Sequence, residues 1–291
     1  MAVKVSMADL AGAVAEEGGI GLIAGSAMTV QELKDEIRKA REKTDGIIGV
    51  NIMFAARDFL KLVKASIESG IDLIVSGAGF SRDMFTLGKK ADVPVVPIVS
   101  SVKLARISEK LGADAIVVEG GNAGGHLGAD EDSWTLIEKI KDKVSIPVIG
   151  AGEVVTPADI KKMFDLGVDG VQMGTRFLAS EEADVDDVFK EMVVEAEKED
   201  VVRIISSVGF PANAIRNKFT DLIQANEAPS PEQCTKCLKK CTEEFCIFDA
   251  LLRARAGDKE SGVFFTGKSI HKIKEILSVK EIFNRIKNYK G

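Results

Sequence analysis

An α/β fold built on parallel strands is predicted by three features of the sequence. Seven short apolar segments recur along the first 180 residues, and their starting points lie 20 to 31 residues apart. The segments are continuously apolar rather than alternating, which is typical of parallel strands covered on both faces. Amphipathic stretches separate them, so helices are expected on those faces.

The predicted strands are rich in Val and Ile, and nearly all of them end in glycine or small polar residues. In chain order they begin at Ile20, Ile47, Leu73, Val95, Ala115, Ile146 and Gly170. Two of the intervening helices have clear starting signals. Thr29 is a suitable N-cap, and Thr156 precedes Pro157 in the order typical of an N-cap and the first helical residue.

This alternation is typical of two architectures, a TIM-type (β/α)8 barrel and a doubly wound open sheet. The chain opens with a predicted helix, at 6–19, where a barrel would have a strand. The predicted fold is a TIM-type barrel whose first strand would precede Met1 and is missing from this numbering. The open sheet, which needs no eighth strand, stays as the alternative.

The strand–helix rhythm stops after about Arg176, and this sets the predicted domains. Residues 1–180 are expected to form the barrel core, and 181–275 a helical cap over one barrel face. Residues 276–291 are expected to form a helix that packs on the barrel. Helices are also predicted inside the cap, at 181–200 and 211–224.

Composition and charge narrow the classes of partner. Of the 291 residues 45% are hydrophobic and 29% charged, so a sizeable core is expected. The net charge of −6 argues against a nucleic-acid-binding surface. No apolar run approaches the ~20 residues of a membrane span, and the N-terminus does not resemble a signal peptide. We expect a cytoplasmic protein with a small-molecule substrate, and the oligomeric state is left open, a homodimer included.

Glycines gather where the last two predicted strands end, in "VIGAGEVV" and "VQMGTRF". Loops at these positions of a barrel often bind phosphate through backbone N–H groups, although tight strand-to-helix turns also explain the glycines. Neither a Walker loop nor a GxGxxG fingerprint is present, which argues against a Rossmann dinucleotide site. Polar side chains at strand ends suggest a polar ligand with a ring, or satisfied groups at the core edge: Asn51, Ser76, Glu119 and Gln172.

Only two histidines occur in the chain, and one of them lies in "EGGNAGGHLG", residues 119–128. We call this stretch the histidine loop. His126 is surrounded there by five glycines at the predicted ligand edge, so it is predicted to be functional. His271 has no such context and is interpreted as structural.

Together with "IPVIGAGEV" and "GVQMGTRF", the histidine loop resembles the nitronate monooxygenase family of FMN-dependent oxidoreductases, which includes enoyl-acyl-carrier-protein reductase II. The mark of that family is A-G-G-H-x-G after a strand, here 123–128. The resemblance runs from Met1 to about residue 275. It implies FMN at the carboxyl face of a TIM-type barrel, with a helical segment closing over the isoalloxazine.

Residue by residue, the resemblance implies a set of roles. His126 would be the catalytic acid/base over the flavin, since an ordinary histidine pKa is near neutral. Gly124 and Gly125 would let the backbone pass close to the ring. The phosphate would be held by Ala151, Gly152, Glu153, Gly174 and Thr175. Contacts to the ring system or ribityl chain would come from Asn51, Ser76, Glu119 and Gln172.

The chain departs from the family pattern at three places. Met1 corresponds to the methionine that ends the family's first strand. Glu153 brings a carboxylate to the expected phosphate site. The stretch "PANAIRN" lacks the basic residue that relatives often carry just before "AIRN", so an anionic substrate group is expected to be held differently.

All four cysteines fall in "CTKCLKKCTEEFC", which we call the cysteine loop (234–246). The spacing resembles iron–sulfur ligation and fits zinc less well, and on a continuous helix the first three cysteines would share a face. Reduced structural thiols and redox-active disulfides are the alternatives. The candidate metal ligands are Cys234, Cys237, Cys241 and Cys246.

The predicted function is FMN-dependent oxidation of a small nitronate-like substrate. The alternative is an NAD(P)H-dependent reductase acting on an enoyl thioester or a quinone-like acceptor, which gains if the cysteines hold a cluster. A flavin-binding electron carrier and a flavin-free phosphate-binding barrel are further alternatives. In each enzymatic case the flavin carries the chemistry and the protein positions and tunes it.

Overall fold

The computed structural model describes residues 3–290 and contains the predicted parallel sheet. Seven strands pair in the order β1-β2-β3-β4-β5-β7-β8, and the other three form a small separate sheet. The strands are β1 (Gly21–Ala24), β2 (Ile48–Met53), β3 (Leu73–Gly77), β4 (Val95–Val99), β5 (Ile116–Glu119), β6 (Gly125–His126), β7 (Val148–Ala151), β8 (Gly170–Gln172), β9 (Val201–Ile205) and β10 (Pro211–Ile215).

Helices follow the parallel strands as predicted. They are α1 (Ala8–Glu16), α2 (Val30–Lys43), α3 (Phe59–Glu68), α4 (Arg82–Ala91), α5 (Val102–Lys110), α6 (Ser133–Ile140), α7 (Pro157–Asp165), α8 (Thr175–Leu178), α9 (Asp187–Glu195), α10 (Lys218–Ala225), α11 (Ile247–Arg255) and α12 (Val279–Lys287). The predicted caps are confirmed, since Thr29 and Thr156 each accept a backbone N–H bond in the first turn of α2 and α7. In residues 3–290 no helix has the length and apolarity to cross a membrane.

The strands follow one another around the sheet without the reversal of order that defines a doubly wound fold, so the sheet is of the TIM type. Four side chains from different strands, Val75, Val96, Val117 and Ala151, form a separate apolar cluster away from the helix-facing core. The segment beside β1 is held by a bond from the Ala24 N–H to the Ser6 carbonyl. The strand predicted before Met1 lies outside the described residues.

The cap contains a sheet that the sequence did not predict. Residues 211–215 form β10 instead of helix, and β10 pairs antiparallel with both β9 and β6. The local pattern "PANAI" suits a helix, but its strand partners lie far away in the sequence and override that preference. Helix begins only after Asn217, whose side chain accepts the Thr220 N–H at 2.9 Å.

The predicted C-terminal helix is confirmed as α12. Its buried residues Val279 and Ile282 join the second core cluster, and Lys287 forms an ion pair of 3.0 Å with Glu17, just beyond α1. The chain therefore closes its helical layer by packing α12 beside α1.

Candidate active site

A cavity of about 380 Å³ opens at the carboxyl ends of the parallel strands. Cap residues, among them Phe210, Phe248 and Phe265, complete its wall. All of the residues predicted for this site except Ser76 line it: Asn51, Glu119, Gly124, Gly125, His126, Ala151, Gly152, Glu153, Gln172, Gly174 and Thr175. The cavity is lined by residues at the carboxyl ends of all seven parallel strands.

Ser76 is the exception. Its side chain is fully buried, and its hydroxyl donates to the Gly79 carbonyl at 2.7 Å. This bond shapes the turn after β3, where Gly79 has a φ of +107°. Ser76 therefore supports the cavity wall rather than facing the cavity.

The start of the histidine loop is held against α6. The Gly120 N–H donates to the Ser133 hydroxyl at 2.9 Å, and that hydroxyl donates to the Asn122 side-chain oxygen at 2.7 Å. A Cβ on Gly120 would lie 2.5 Å from backbone atoms of Glu131 and Ser133. Glycine is required here by the close approach of two backbones.

The glycines beside the histidine serve the cap as well as the cavity. A Cβ on Gly124 would lie 2.9 Å from the Thr266 backbone, and Gly125 has a φ of +82°. The sequence predicted that these two glycines let the backbone pass close to a ligand ring. At Gly124 the close neighbour in the structure is the backbone of the cap.

His126 is fixed by the cap. It pairs with Ala212 across the β6–β10 ladder, and its ring meets the Phe265 ring edge to face at 5.2 Å. Its Nε2 atom lies 2.8 Å from the Ser206 hydroxyl. Among the described residues Nδ1 makes no hydrogen bond, so Nδ1 is the ring nitrogen left for a ligand.

Burial lowers the pKa of His126 to about 4, below the near-neutral value expected from the sequence. The apolar walls of the cavity disfavour the charged imidazolium. The side chain is therefore neutral at pH 7. It can accept a proton or donate a hydrogen bond, but it holds no permanent positive charge.

Glu119 responds to the same burial in the opposite direction. Desolvation raises its pKa to about 7, because the carboxylate is the charged form of this group. Glu119 lines the cavity at the end of β5. At neutral pH both of its protonation states are populated.

The end of β7 and the turn that follows it, residues 150–153, carry predicted phosphate contacts, and we call this stretch the phosphate turn. Gly152 and Glu153 both have positive φ, +94° and +60°. The backbone N–H groups of both residues, and those of Gly174 and Thr175, donate no hydrogen bond within residues 3–290. Four unused donors at one end of the cavity suit an anion such as phosphate.

The Glu153 carboxylate has its own partner on α6. It accepts a hydrogen bond from the Trp134 indole at 2.9 Å, and the Lys162 ammonium lies over the Trp134 ring at 4.3 Å. The side chain is thus engaged on α6, and the backbone of the same residue remains available to the cavity.

Sequence reasoning missed the residues that brace the histidine loop. Asn213 is fully buried and donates to the carbonyls of Gly121 and Ala123, at 3.0 and 2.8 Å. Ser206 is the partner of His126, at 2.8 Å from its Nε2 atom. The available signal was the polar stretch "SSVGFPANAIRN", which looked like a cap segment without indicating these contacts.

The cysteine loop is irregular, so the helical arrangement in which the first three cysteines would share a face is not present. All four thiols are free. Among the described residues no group of three or more His, Cys, Asp or Glu side chains is placed to hold a metal ion. The four cysteines line a second cavity of about 340 Å³.

A family model described as nitronate monooxygenase matches residues 1–288. A probable nitronate monooxygenase of Staphylococcus aureus is 26% identical over 97% of this chain and 92% of its own length. A 5-hydroxy-7a-methyl-1-oxo-octahydro-1H-indene-4-carboxyl-CoA dehydrogenase of Mycobacterium tuberculosis is 31% identical over 76% of this chain, which spans only 63% of that protein.

Two solved structures are similar to this chain over nearly its whole length. FabK of Thermotoga maritima is 38% identical, with a TM-score of 0.89 over 97% of this chain and 88% of that chain. A nitroalkane oxidase of Streptomyces ansochromogenes has a TM-score of 0.84 over 99% of this chain and 94% of that chain. At 21% identity, the latter shares the fold alone.

Proposed function

The chain belongs to the nitronate monooxygenase family, and from that premise we propose that it is an FMN-dependent oxidoreductase that oxidises a small nitronate or nitroalkane at this cavity. The observation that carries the proposal is the pairing of unused backbone donors at the phosphate turn with a neutral histidine across the same cavity. Bound FMN would supply electron acceptance.

The phosphate end of the cavity fits the cofactor. Gly152 and Glu153 would donate from one turn, and Gly174 and Thr175 would donate from the start of α8. A Cβ on Gly152 would lie 2.4 Å from the Ser133 hydroxyl, so only glycine allows this turn. The polar side chains of Asn51 and Gln172 lie farther along the cavity wall, suited to the polar edges of a ring and its chain.

His126 would act as the base for a substrate proton. When Nε2–H donates to Ser206, Nδ1 keeps its lone pair and can take a proton from the carbon beside a nitro group. The low pKa keeps this acceptor form present throughout the neutral range. A group that must deliver a proton would need a higher pKa.

The second candidate is an NAD(P)H-dependent reductase of an enoyl thioester. The 38% identity with FabK over nearly the whole chain favours it, as does the carboxyl-CoA substrate in the name of the mycobacterial relative. Glu119, with its pKa of about 7, would be the group able to deliver a proton in that reaction.

Anaerobic stopped-flow measurement of flavin absorbance tests the two reactions. Bleaching by a nitroalkane or its nitronate, with slow or absent bleaching by NADH and NADPH, is the expected result. Rapid bleaching by a reduced nicotinamide, followed by reoxidation with an enoyl thioester, would replace the first candidate with the second. Purified protein that binds no flavin would overturn both.

A further inference from the structure

The cysteine loop surrounds a chamber of its own. Residues Cys234, Cys237, Cys241 and Cys246 all line the second cavity, which has a volume of about 340 Å³. These are the only cysteines of the chain, and none is paired with another. Four free thiols around one space are the ligand set of an iron–sulfur cluster or a structural zinc ion.

The backbone of the loop is shaped for thiolate sulfur. Lys236, between the first two cysteines, has a φ of +52°, and its N–H donates to the Cys234 sulfur at 3.4 Å. This turn directs a backbone donor at a sulfur atom instead of at a carbonyl. Hydrogen bonds to the ligating sulfurs are one of the means by which proteins tune iron–sulfur centres.

The loop is held in place without regular structure. The Cys237 carbonyl accepts the Arg57 N–H at 2.9 Å, and the Lys239 N–H donates to Ala55 at 2.9 Å. The Thr242 N–H donates to the Ser207 carbonyl at 2.9 Å. The backbone of the loop is therefore fixed at three points, while its thiols remain free to bind a ligand.

The remaining wall of the chamber suits an anionic centre. Four cationic residues line it, against one carboxylate, Glu243: Arg57, Lys236, Lys239 and Lys240. Ser207 also lines it, and its hydroxyl is fully buried without a partner among the described residues. A cluster with four thiolate ligands carries net negative charge, which these cations would balance, and its sulfurs would accept a hydrogen bond from the Ser207 hydroxyl.

The geometry separates a cluster from a single ion. One zinc ion needs its four sulfurs at about 2.3 Å from one point, and no such group exists among the described residues. An iron–sulfur cluster is a larger body than one ion, so its thiolate ligands do not need to converge on a single point. We propose that the cysteine loop binds an iron–sulfur cluster through Cys234, Cys237, Cys241 and Cys246.

The site lies beside the active-site cavity, because Phe248 lines both spaces. The cluster would therefore stand one aromatic side chain away from the cavity proposed for the flavin.

The test is anaerobic reconstitution of the full-length protein with ferrous iron, sulfide and a thiol reductant, followed by chemical assay of bound iron and acid-labile sulfide. The expected result is about two to four irons per chain with matching sulfide. After reduction with dithionite, low-temperature electron paramagnetic resonance should show a cluster signal distinct from a flavin radical. Iron and sulfide at background level, or zinc retained without sulfide, would overturn the proposal.

A double variant, Cys234→Ser with Cys241→Ser, completes the test. Both thiols are exposed, so the variant is expected to fold, which flavin absorbance and circular dichroism would check. It should lose nearly all bound iron and sulfide, whereas Ser230→Ala, in the preceding exposed segment, should keep them. Full iron and sulfide in the double variant would also overturn the proposal, independently of which substrate the flavin site takes.

Discussion

The phosphate turn and the histidine loop line the same cavity but are built in opposite ways. The phosphate turn depends on its own backbone, through successive positive φ values at Gly152 and Glu153. The histidine loop depends on partners from the cap, among them Asn213, 92 residues from Gly121. The comparison teaches that the shape of a turn can be encoded locally, whereas a positioned histidine needs the assembled fold.

Replacement of the histidine itself should have the largest effect. His126→Gln is expected to lower turnover by about 10²- to 10⁴-fold, the usual contribution of a positioned acid or base. Flavin absorbance should be kept, because the phosphate turn is unaltered. Steady-state kinetics with the matched variant His271→Gln, which removes the other histidine of the chain, should remain near wild type. Wild-type turnover in His126→Gln would remove this residue from the chemistry.

A substitution in the phosphate turn should weaken the binding of FMN and not the chemical step. Gly152→Ala places a Cβ 2.4 Å from the Ser133 hydroxyl at a φ of +94°, so FMN affinity is expected to fall by about 10- to 100-fold. Fluorescence titration of the apoprotein measures it. Gly112→Ala is the control, with a similar φ of +89° and open space around the new methyl group. Equal FMN affinity in both variants would contradict a local anion site.

Loss of the long-range brace should destabilise the protein. Asn213→Ala leaves the carbonyls of Gly121 and Ala123 without their buried donor, which is expected to cost about 1–3 kcal/mol in the free energy of unfolding. Urea denaturation measures this cost. Asn288→Ala, which removes an exposed amide-to-carbonyl bond on α12, should stay within about 0.5 kcal/mol of wild type. A similarly small loss of unfolding free energy in both variants would show that the histidine loop keeps its conformation without Asn213.

A pH dependence of stability is expected from Glu119. Because its folded pKa is raised to about 7, the proton is bound more tightly in the folded state, so stability is lost as pH rises from 4.5 through 7. Glu119→Gln should therefore gain up to about 3 kcal/mol relative to wild type at pH 8 compared with pH 4. Urea unfolding of the apoprotein at both pH values measures the difference.

His126 contributes the opposite slope, and the same measurements separate the two groups. Its folded pKa of about 4 lies below the ordinary 6.5, so stability is lost as pH falls from 6.5 through 4. The contribution of His126 to the free energy of unfolding is the same in wild type and in Glu119→Gln, so it cancels when the two proteins are compared. Glu138→Gln, at an exposed position on α6, is the matched control. If the stability difference from wild type is the same at both pH values in both variants, Glu119 is in contact with solvent.

The sequence predicted the features that are encoded over short distances. The strand positions, the caps at Thr29 and Thr156, and the C-terminal helix follow from periodicity and neighbouring residues. The strand at 211–215 was predicted as helix because its partners, β9 and the two residues of β6, are recognised only after the chain folds.

The same limit applies to single residues of the site. Ser76 was predicted from its position at a strand end, but the side chain of such a residue can face either the ligand or the turn, and here it bonds to Gly79. The lowered pKa of His126 depends on apolar walls from the cap. Ser206 has no local motif, since its role exists only through the His126 ring 80 positions away.

The short ladder between β6 and β10 has a consequence for how this enzyme can change. Two residue pairs join β6 to β10, and one of them contains His126. An insertion that shifts the register of β10 would therefore displace the imidazole. New substrates are therefore easier to reach by altering side chains that face the cavity, such as Phe210, than by lengthening the cap strands. His126 and the strand that fixes its position are therefore expected to change together in evolution.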